Sequence, residues 1–435
     1  MKHSNIDYSI ANRIMSTSKR CYTMTRNLLV PVLPHPVSLQ RMFSFFRLTP
    51  GFIVQTFQYL LKKSELDSWK PSDFLLSFCF DECTVSHVGM LNMHTEQVVG
   101  PHKEAFVIMA RAIAGNWQIP IYINFDVAAK IQIPRVKIQL VEIYNDTILE
   151  FEKINFKVLL SVCDQGGKNQ ALSSHFEITP DNFCIPNPYQ ANREVIFIHD
   201  FVHEVKLMRN HIITDTFKLP SGKTCSKKDF SALIDASKKS SVSIASAALK
   251  LNDYCLNLKG SDRQDVGTAL KLFSSETASA FRKLYPHDEK KLELAELCET
   301  IGNVFKLLTS KDIENPDKFR CALGGTHYAD QIALLEKALH FFKNMRFKAP
   351  TMTSFTKKTF QKGGEITIQG IIKLQKLMKE EYGVPVLCTI KVCQDYVERQ
   401  FSIYRAMGGS CTNAPALTFL RIAGQDLRST LLAVI

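Results

Sequence analysis

The chain has 435 residues, enough for two or three domains, and at 45% hydrophobic it can bury true cores, which excludes a wholly disordered protein. Lys and Arg number 54 against 42 Asp and Glu, a net charge of +12 that favours a polyanionic partner, nucleic acid above all. The N-terminus lacks the apolar centre of a signal peptide and no apolar run approaches the roughly 20 residues that cross a bilayer, so a soluble intracellular protein with no membrane partner is expected.

Residues 1–68 read as a small helical region. "YSIANRIMSTSKRCYTMTRNLL" has helical spacing, "PVLPHPV" interrupts it, and "SLQRMFSFFR" resumes with a serine in N-cap position. "TPGFIVQTFQYLLKKSELDSW" is a further helix, and the set suits either a helix-turn-helix or a plain support. From 69 to 217 the period changes. "DFLLSFCFDECTVS", "FKVLLSVCDQGG" and "EVIFIHDF" are short, almost continuous apolar runs ending in acids, the pattern of strands buried on both faces. "VGMLNMHTEQVVG" and "AFVIMARAIAGNWQIPIYINF" are strand candidates between them, and "DVAAKIQIPRVKIQLVEIYNDTILEFEK" includes a helix. Residues 218–365 lose the strands and show helical spacing throughout, as in "DEKKLELAELCETIGNVFKLL". Residues 366–435 resume the acidic chemistry, with a helix over 367–380 and then "QDYVERQF". The predicted architecture is therefore a mixed α/β layer interrupted by an all-helical insertion.

Three acids stand out by setting: Asp81 and Asp164 each follow an apolar strand, and Glu398 lies on a late helix. Carboxylates brought together repel, and a hard divalent cation removes the conflict, because Mg²⁺ and Mn²⁺ prefer carboxylate oxygen. Such a site can activate a water or sugar hydroxyl against a phosphodiester. Each acid also has a plainer reading: a polar strand stop at "FDE", an Asp-headed turn at "CDQGG", a wet helix face at "QDYVE". His203 reads as a ligand or general base or, more simply, as a satisfied helix-start histidine. "HEVKLMRNH" is not HExxH, no GxxxxGK[ST] occurs, and none of the twelve cysteines forms CxxC, so zincin, P-loop and zinc-module chemistry are unsupported.

In order, "FDE", "CDQGGKNQAL", "HDFVHEVKLMRN" and "QDYVERQFSIYRAMGGSCTNAPALTFL" resemble the P-element transposase family, which includes the THAP-domain transposases. The resemblance runs from about residue 8 to 428. It implies an RNase H-like domain (69–217 and 366–435) interrupted by a helical GTP-binding insertion (218–365). It also implies divalent-metal-dependent DNA cleavage and strand transfer. Matched position by position, the acidic triad falls on Asp81, Asp164 and Glu398. Asp395 matches a family residue near the nucleotide or its metal, and Lys250, Val266 and Ser274 match positions near the ligand. The implied cofactors are Mg²⁺ or Mn²⁺ and GTP, and the implied partners are transposon-end and target DNA. A homo-oligomer working in the nucleus is also implied.

Two departures stand beside the match. The chain shows no C2CH spacing for the zinc-coordinating domain of relatives, so end recognition is expected to rest on segment 8–60 or to be lost. The guanine-reading stretch "N.wFD.lNS" of relatives reads here as "NVFKLLTS" at 303–310. Lys306 stands for an acid that would accept the two guanine donors, and lysine accepts none. The alternatives left by the sequence are a catalytically silent transposase-derived DNA-binding protein, and a helical nucleotide-binding protein beside an unrelated α/β domain.

Overall fold

The computed structural model describes residues 3–28, 33–43, 47–128, 139–239, 249–409 and 413–431. The chain forms two compact units, Met1–Leu159 with Asn187–Asn192 and Gln394–Ile435, and Leu160–Pro186 with Arg193–Cys393.

The first unit opens with helices α1 (Asn5–Thr17), α2 (Lys19–Leu28) and α3 (Pro36–Phe43). Ser4 and Asp7 cap α1 reciprocally: the Asp7 N–H donates to Ser4 Oγ at 3.2 Å and the Ser4 N–H to Asp7 Oδ2 at 2.7 Å. Ala11, Tyr22, Leu33 and Leu39 make a small core beneath these helices. The third helix starts at Pro36, two residues before the serine expected to cap it. Proline at the first helical position loses only an N–H that has no intrahelical partner there.

After β1 (Gly51–Phe52) and α4 (Val54–Leu66) come β2 (Leu75–Thr84), the hairpin β3 (Met90–Asn92) and β4 (Gln97–Val99), then β5 (Glu104–Ala112), β6 (Gln118–Phe125) and α5 (Gln139–Lys153). Here β2, β5 and β6 are antiparallel neighbours, with β1 on the far side of β6. Leu75 to Phe80 are all buried, as the unbroken apolar run requires, and exposure begins at Asp81. Register sets Phe80 opposite Ile108 and Asp81 opposite Val107. A register shift between Ile108 and Met109 accommodates Pro120, which has no N–H for the ladder, and the Pro120 carbonyl accepts from Thr56 Oγ1 at 3.0 Å. Trp69 and Trp117, the chain's two tryptophans, stack at 5.9 Å with Phe156 against their edges.

Strand β7 (Lys157–Cys163) carries the chain into the second unit. There α6 (Gly167–His175), β8 (Cys184–Pro186), β9 (Glu194–His199) and α7 (Phe201–Thr214) follow. The β7–β9 pairing is parallel from Leu160–Ile196 to Cys163–His199, and β8 adds antiparallel on β9.

The stretch read as all-helical is mostly so, but it begins and ends in short strands: β10 (Thr216–Lys218) and β11 (Thr224–Cys225) before it, with β12 (Leu323–Gly324) and β13 (Arg346–Lys348) towards its end. Its helices are α8 (Lys227–Lys239), α9 (Asp253–Leu256), α10 (Val266–Leu272), α11 (Ser275–Leu284), α12 (Glu289–Leu308) and α13 (Tyr328–Asn344). Each of α10, α11 and α12 starts at a capping side chain, Asp265, Ser274 and Asp288. Then α14 (Thr359–Tyr382) runs eight residues further back than the 367–380 helix expected from spacing. Its N-terminal half holds Gly363 and Gly364, which argue against helix in isolation. Both fit close packing: a Cβ at Gly364 would sit 2.6 Å from Phe342, and one at Gly363 would sit 2.0 Å from Gln165 Nε2.

Helices α15 (Asp395–Met407) and α16 (Ala416–Leu431) return to the first unit. The last of them packs on the first: Asn12 Nδ2 donates to the Gln425 carbonyl at 2.9 Å, and Ser9 Oγ donates to the Ser429 carbonyl. Among the described residues no helix is long and apolar enough to cross a membrane.

Candidate active site

Two of the three predicted acids lie in the first unit. Asp81 is partly exposed near the end of β2, and its Oδ1 accepts the N–H of Glu82 at 2.8 Å. Glu398 is exposed in the first turn of α15, and Asp395 one turn earlier is partly buried. The helix buries Tyr396, Val397, Gln400, Phe401 and Tyr404 against β2, β5 and α16, which turns the remaining face outward. Its entry is pinned by Gln394, 1% exposed, whose Nε2 donates to the Phe80 carbonyl at 2.8 Å. Arg111 of β5 stands over the Tyr396 ring at 5.4 Å, and burial drives the Tyr396 hydroxyl well above the ordinary tyrosine range.

The third acid, Asp164, lies in the second unit directly after β7. Its Oδ1 accepts the Gly166 N–H and the Asn169 Nδ2, both at 2.7 Å, so the "CDQGGKN" stretch is an Asp-headed turn that opens α6. Both bonds fall on one oxygen, which fixes the carboxylate plane. Beside it His199, paired with Cys163 in the sheet, is 4% exposed, and burial pulls its imidazole down to about 4. It is therefore neutral at physiological pH.

The "HDFVHEVKLMRN" stretch builds α7 and its start. Asp200 caps the helix, accepting the His203 N–H at 3.1 Å and pairing with His203 Nδ1 at 2.8 Å. His203 is thus a satisfied helix-start histidine. Glu204 is wholly buried, neither carboxyl oxygen has a hydrogen-bond partner, and burial, followed by the charges of Asp200 and Asp164, pushes it well above the usual carboxylate range. Arg209, with no exposed surface, ties α7 to the helical body: Nη1 donates to Thr268 Oγ1 at 2.5 Å and Nη2 to the Arg263 carbonyl at 2.7 Å.

Neither Gln394, Glu204 nor Arg209 stands out in the sequence as a site residue. The apolar residues Val202, Val205, Met208 and Ile212 share one stripe of α7, the pattern of an ordinary half-buried helix, so nothing in the spacing marks Glu204 and Arg209 as buried. Among the described residues, no group of three or more His, Cys, Asp or Glu side chains is gathered closely enough to hold a metal ion.

The helical body has a cavity of about 590 Å³ among α10, α11 and α12. Lys250 and Ser274 line it, as do Lys306 and Thr309, whereas Val266 and Asp395 are not among its lining residues. Lys250 forms an ion pair with Glu276 at 3.0 Å, and the Ser274 Oγ caps α11 by accepting the Thr277 N–H at 3.0 Å. Guanine's N1–H and N2–H₂ edge needs acceptors. On α12 the Asn303 oxygen is taken by Lys306 at 3.0 Å, Thr309 donates to the Phe305 carbonyl, and Lys306 has only donors.

The family model "TNP-like, RNase H N-terminal domain" matches residues 48–177. The chain is 22% identical over 416 residues, 95% of its length, to the transposable element P transposase of Drosophila melanogaster, and spans 52% of that protein. It thus covers about half the length of this relative. In structure it is similar to the chain solved in the Drosophila P element transposase strand transfer complex, with a TM-score of 0.83 at 22% identity, over 100% of this chain and 92% of that one. The expected fold, a mixed α/β RNase H-like sheet with many helices, is the one observed. Residues 48–177 thus match an RNase H N-terminal domain, and over 95% of its length the chain is similar to a P-element transposase.

Proposed function

We propose that this protein is a P-element-type DNA transposase that cuts and joins DNA through Asp81, Asp164 and Glu398 with a divalent metal. The observation that carries the proposal is the Gln394–Phe80 hydrogen bond at 2.8 Å, which fixes the first turn of α15, and Glu398 with it, to the strand residue before Asp81. Asp81 and Glu398 offer accessible hard-oxygen donors, and the turn at Asp164 fixes a third carboxylate, a donor set that suits Mg²⁺ or Mn²⁺. When bound, such a metal polarises a phosphodiester and lowers the pKa of a hydroxyl nucleophile. The protein's part is to position these carboxylates, with Asp164 locked by Asn169 and Glu398 carried on a packed helix. The basic surface implied by the +12 charge attracts the DNA, and the enzyme acts as a homo-oligomer in the nucleus.

A second reading, a DNA-binding protein without catalysis, is supported by the lack of any gathered metal-binding group among the described residues. One experiment separates the two. The purified chain is incubated with supercoiled plasmid and linear duplex in Mg²⁺ or Mn²⁺. Nicking or joining that is lost in Asp81→Ala, Asp164→Ala and Glu398→Ala supports the first reading. Binding without any metal-dependent break in every DNA form rejects it. Manganese binding followed by electron paramagnetic resonance, weakened in the same variants, tests the metal site without relying on turnover.

A further inference from the structure

The first unit has a second cavity, about 350 Å³, that the catalytic proposal does not use. It lies among α1, α3, the β3–β4 hairpin and α16. Arg47, Arg421 and Arg428 line it, and no Asp or Glu is among its lining residues. Arg421 and Arg428 are seven residues apart on α16, two turns, and so share one face. The helix has a single acid, Asp426, whose Oδ2 accepts from Gln400 Nε2 at 2.7 Å and is thereby engaged outside the cavity. Burial, with the neighbouring charge of Arg47, brings the Arg428 guanidinium down to about 10. Positive charges gathered around one cavity repel one another, and an anion placed between Arg47 and Arg421 relieves that repulsion. Beneath the arginines the cavity is apolar, floored by Leu39, Leu417 and Leu420, all buried.

From this geometry we infer that the cavity is a nucleotide-phosphate site: the arginines take the phosphate and the leucine floor takes sugar and base. Guanidinium is the side chain best matched to phosphate oxygens, through paired N–H donors, and pockets of this size combine an apolar lining with a few convergent polar groups. The same chemistry is offered by a free mononucleotide and by one nucleotide of a DNA strand. The inference leans on the transposase reading only for the second source.

The test measures binding of a 5′-deoxymononucleotide by calorimetry, and of a fluorescent single-stranded oligonucleotide by anisotropy, to wild type and to the Arg47→Ala/Arg421→Ala variant. Both arginines are exposed, so the fold should survive. Tryptophan fluorescence checks it, and Arg421→Glu alone replaces the double variant if that one melts early. The expected result is a loss of affinity of about tenfold or more, the scale of losing one charge-assisted hydrogen bond. For the strand, the dependence of log affinity on log salt should also flatten by about 0.7, the single-strand value for one phosphate. Loss for both ligands assigns a free-nucleotide site, and loss for the strand alone assigns a strand site. Unchanged affinity for both ligands, or no binding of either to wild type, overturns the inference. Neither ligand's binding is read through cleavage, so failure of the catalytic proposal leaves this one standing.

Discussion

Gln394 donates from its side-chain amide to the carbonyl of Phe80, 314 positions earlier, so the residue before the late acidic helix is tied to the residue before Asp81. A glutamine reaching from a helix entry to a strand carbonyl sets both position and angle of the helix, which apolar packing alone would leave free to slide. Gln394→Leu is expected to leave the Phe80 carbonyl buried without its donor, at a cost of about 1–3 kcal/mol. Both tryptophans lie in the first unit, so the loss should appear as a lower urea midpoint by tryptophan fluorescence.

Arg209 gives the complementary measurement. Arg209→Leu removes the donor of Thr268 Oγ1 and leaves the Arg263 carbonyl only the 3.4 Å bond from Asn210, and is expected to destabilise the second unit by about 3 kcal/mol. Far-ultraviolet circular dichroism should report this, with a smaller change in the tryptophan signal than Gln394→Leu produces.

His199 makes stability depend on pH. Its folded pKa of about 4 lies below the usual histidine value of 6.5, so between these the unfolded chain binds a proton that the folded one refuses. Stability is complete above about 6.5 and falls as pH drops towards 4. The full span corresponds to roughly 3 kcal/mol. His199→Phe should flatten that slope in denaturant titrations across the same window. Glu204 has the opposite sign. Its raised pKa means that stability is lost as pH rises above the usual carboxylate value, so Glu204→Gln should be more stable than wild type at pH 8 and lose that advantage near pH 4.

Gly302 tests the packing around the helical cavity. A Cβ there would lie 2.1 Å from the Phe273 carbonyl oxygen, a backbone atom that cannot swing aside. Gly302→Ala is expected to cost about 1–3 kcal/mol by overpacking, read as a fall in the midpoint of the dichroism melt.

For the proposed chemistry, Asp164→Asn keeps the acceptor that Gly166 and Asn169 use and removes the charge. Cleavage should fall at least about a hundredfold, the scale of losing one preorganised electrostatic contact, while the melting curve stays near wild type.

The apolar runs made the strands legible: "LLSFCF" and "VLLSVC" are buried along their whole length, and exposure returns at the acids that follow. The elements harder to read were those whose local preference is overruled by a neighbour. The first half of α14 carries a glycine pair that only the approach of Phe342 and Gln165 explains. The start of α3 hid behind a proline that reads as a breaker. At the candidate site, residue types and order pointed to Asp81, Asp164 and Glu398, but the supports are long-range. Nothing local marks Gln394 as a partner of Phe80, or Arg209 as a partner of Thr268, 59 residues on. Lys250 was read as a phosphate contact, and its ion pair with Glu276 is likewise invisible in spacing.

The pairing of α1 with α16 has a consequence for biosynthesis. Helix α1 leaves the ribosome long before α16, so Ser9 and Asn12 wait for Ser429 and Gln425, 420 and 413 residues further on. Closing so wide a loop adds little entropy cost, because that cost grows only with the logarithm of its length. The delay is what matters: a nascent chain stalled before residue 416 would display two buried-type polar side chains and the apolar face around Ala11 to whatever chaperone or neighbour is at hand.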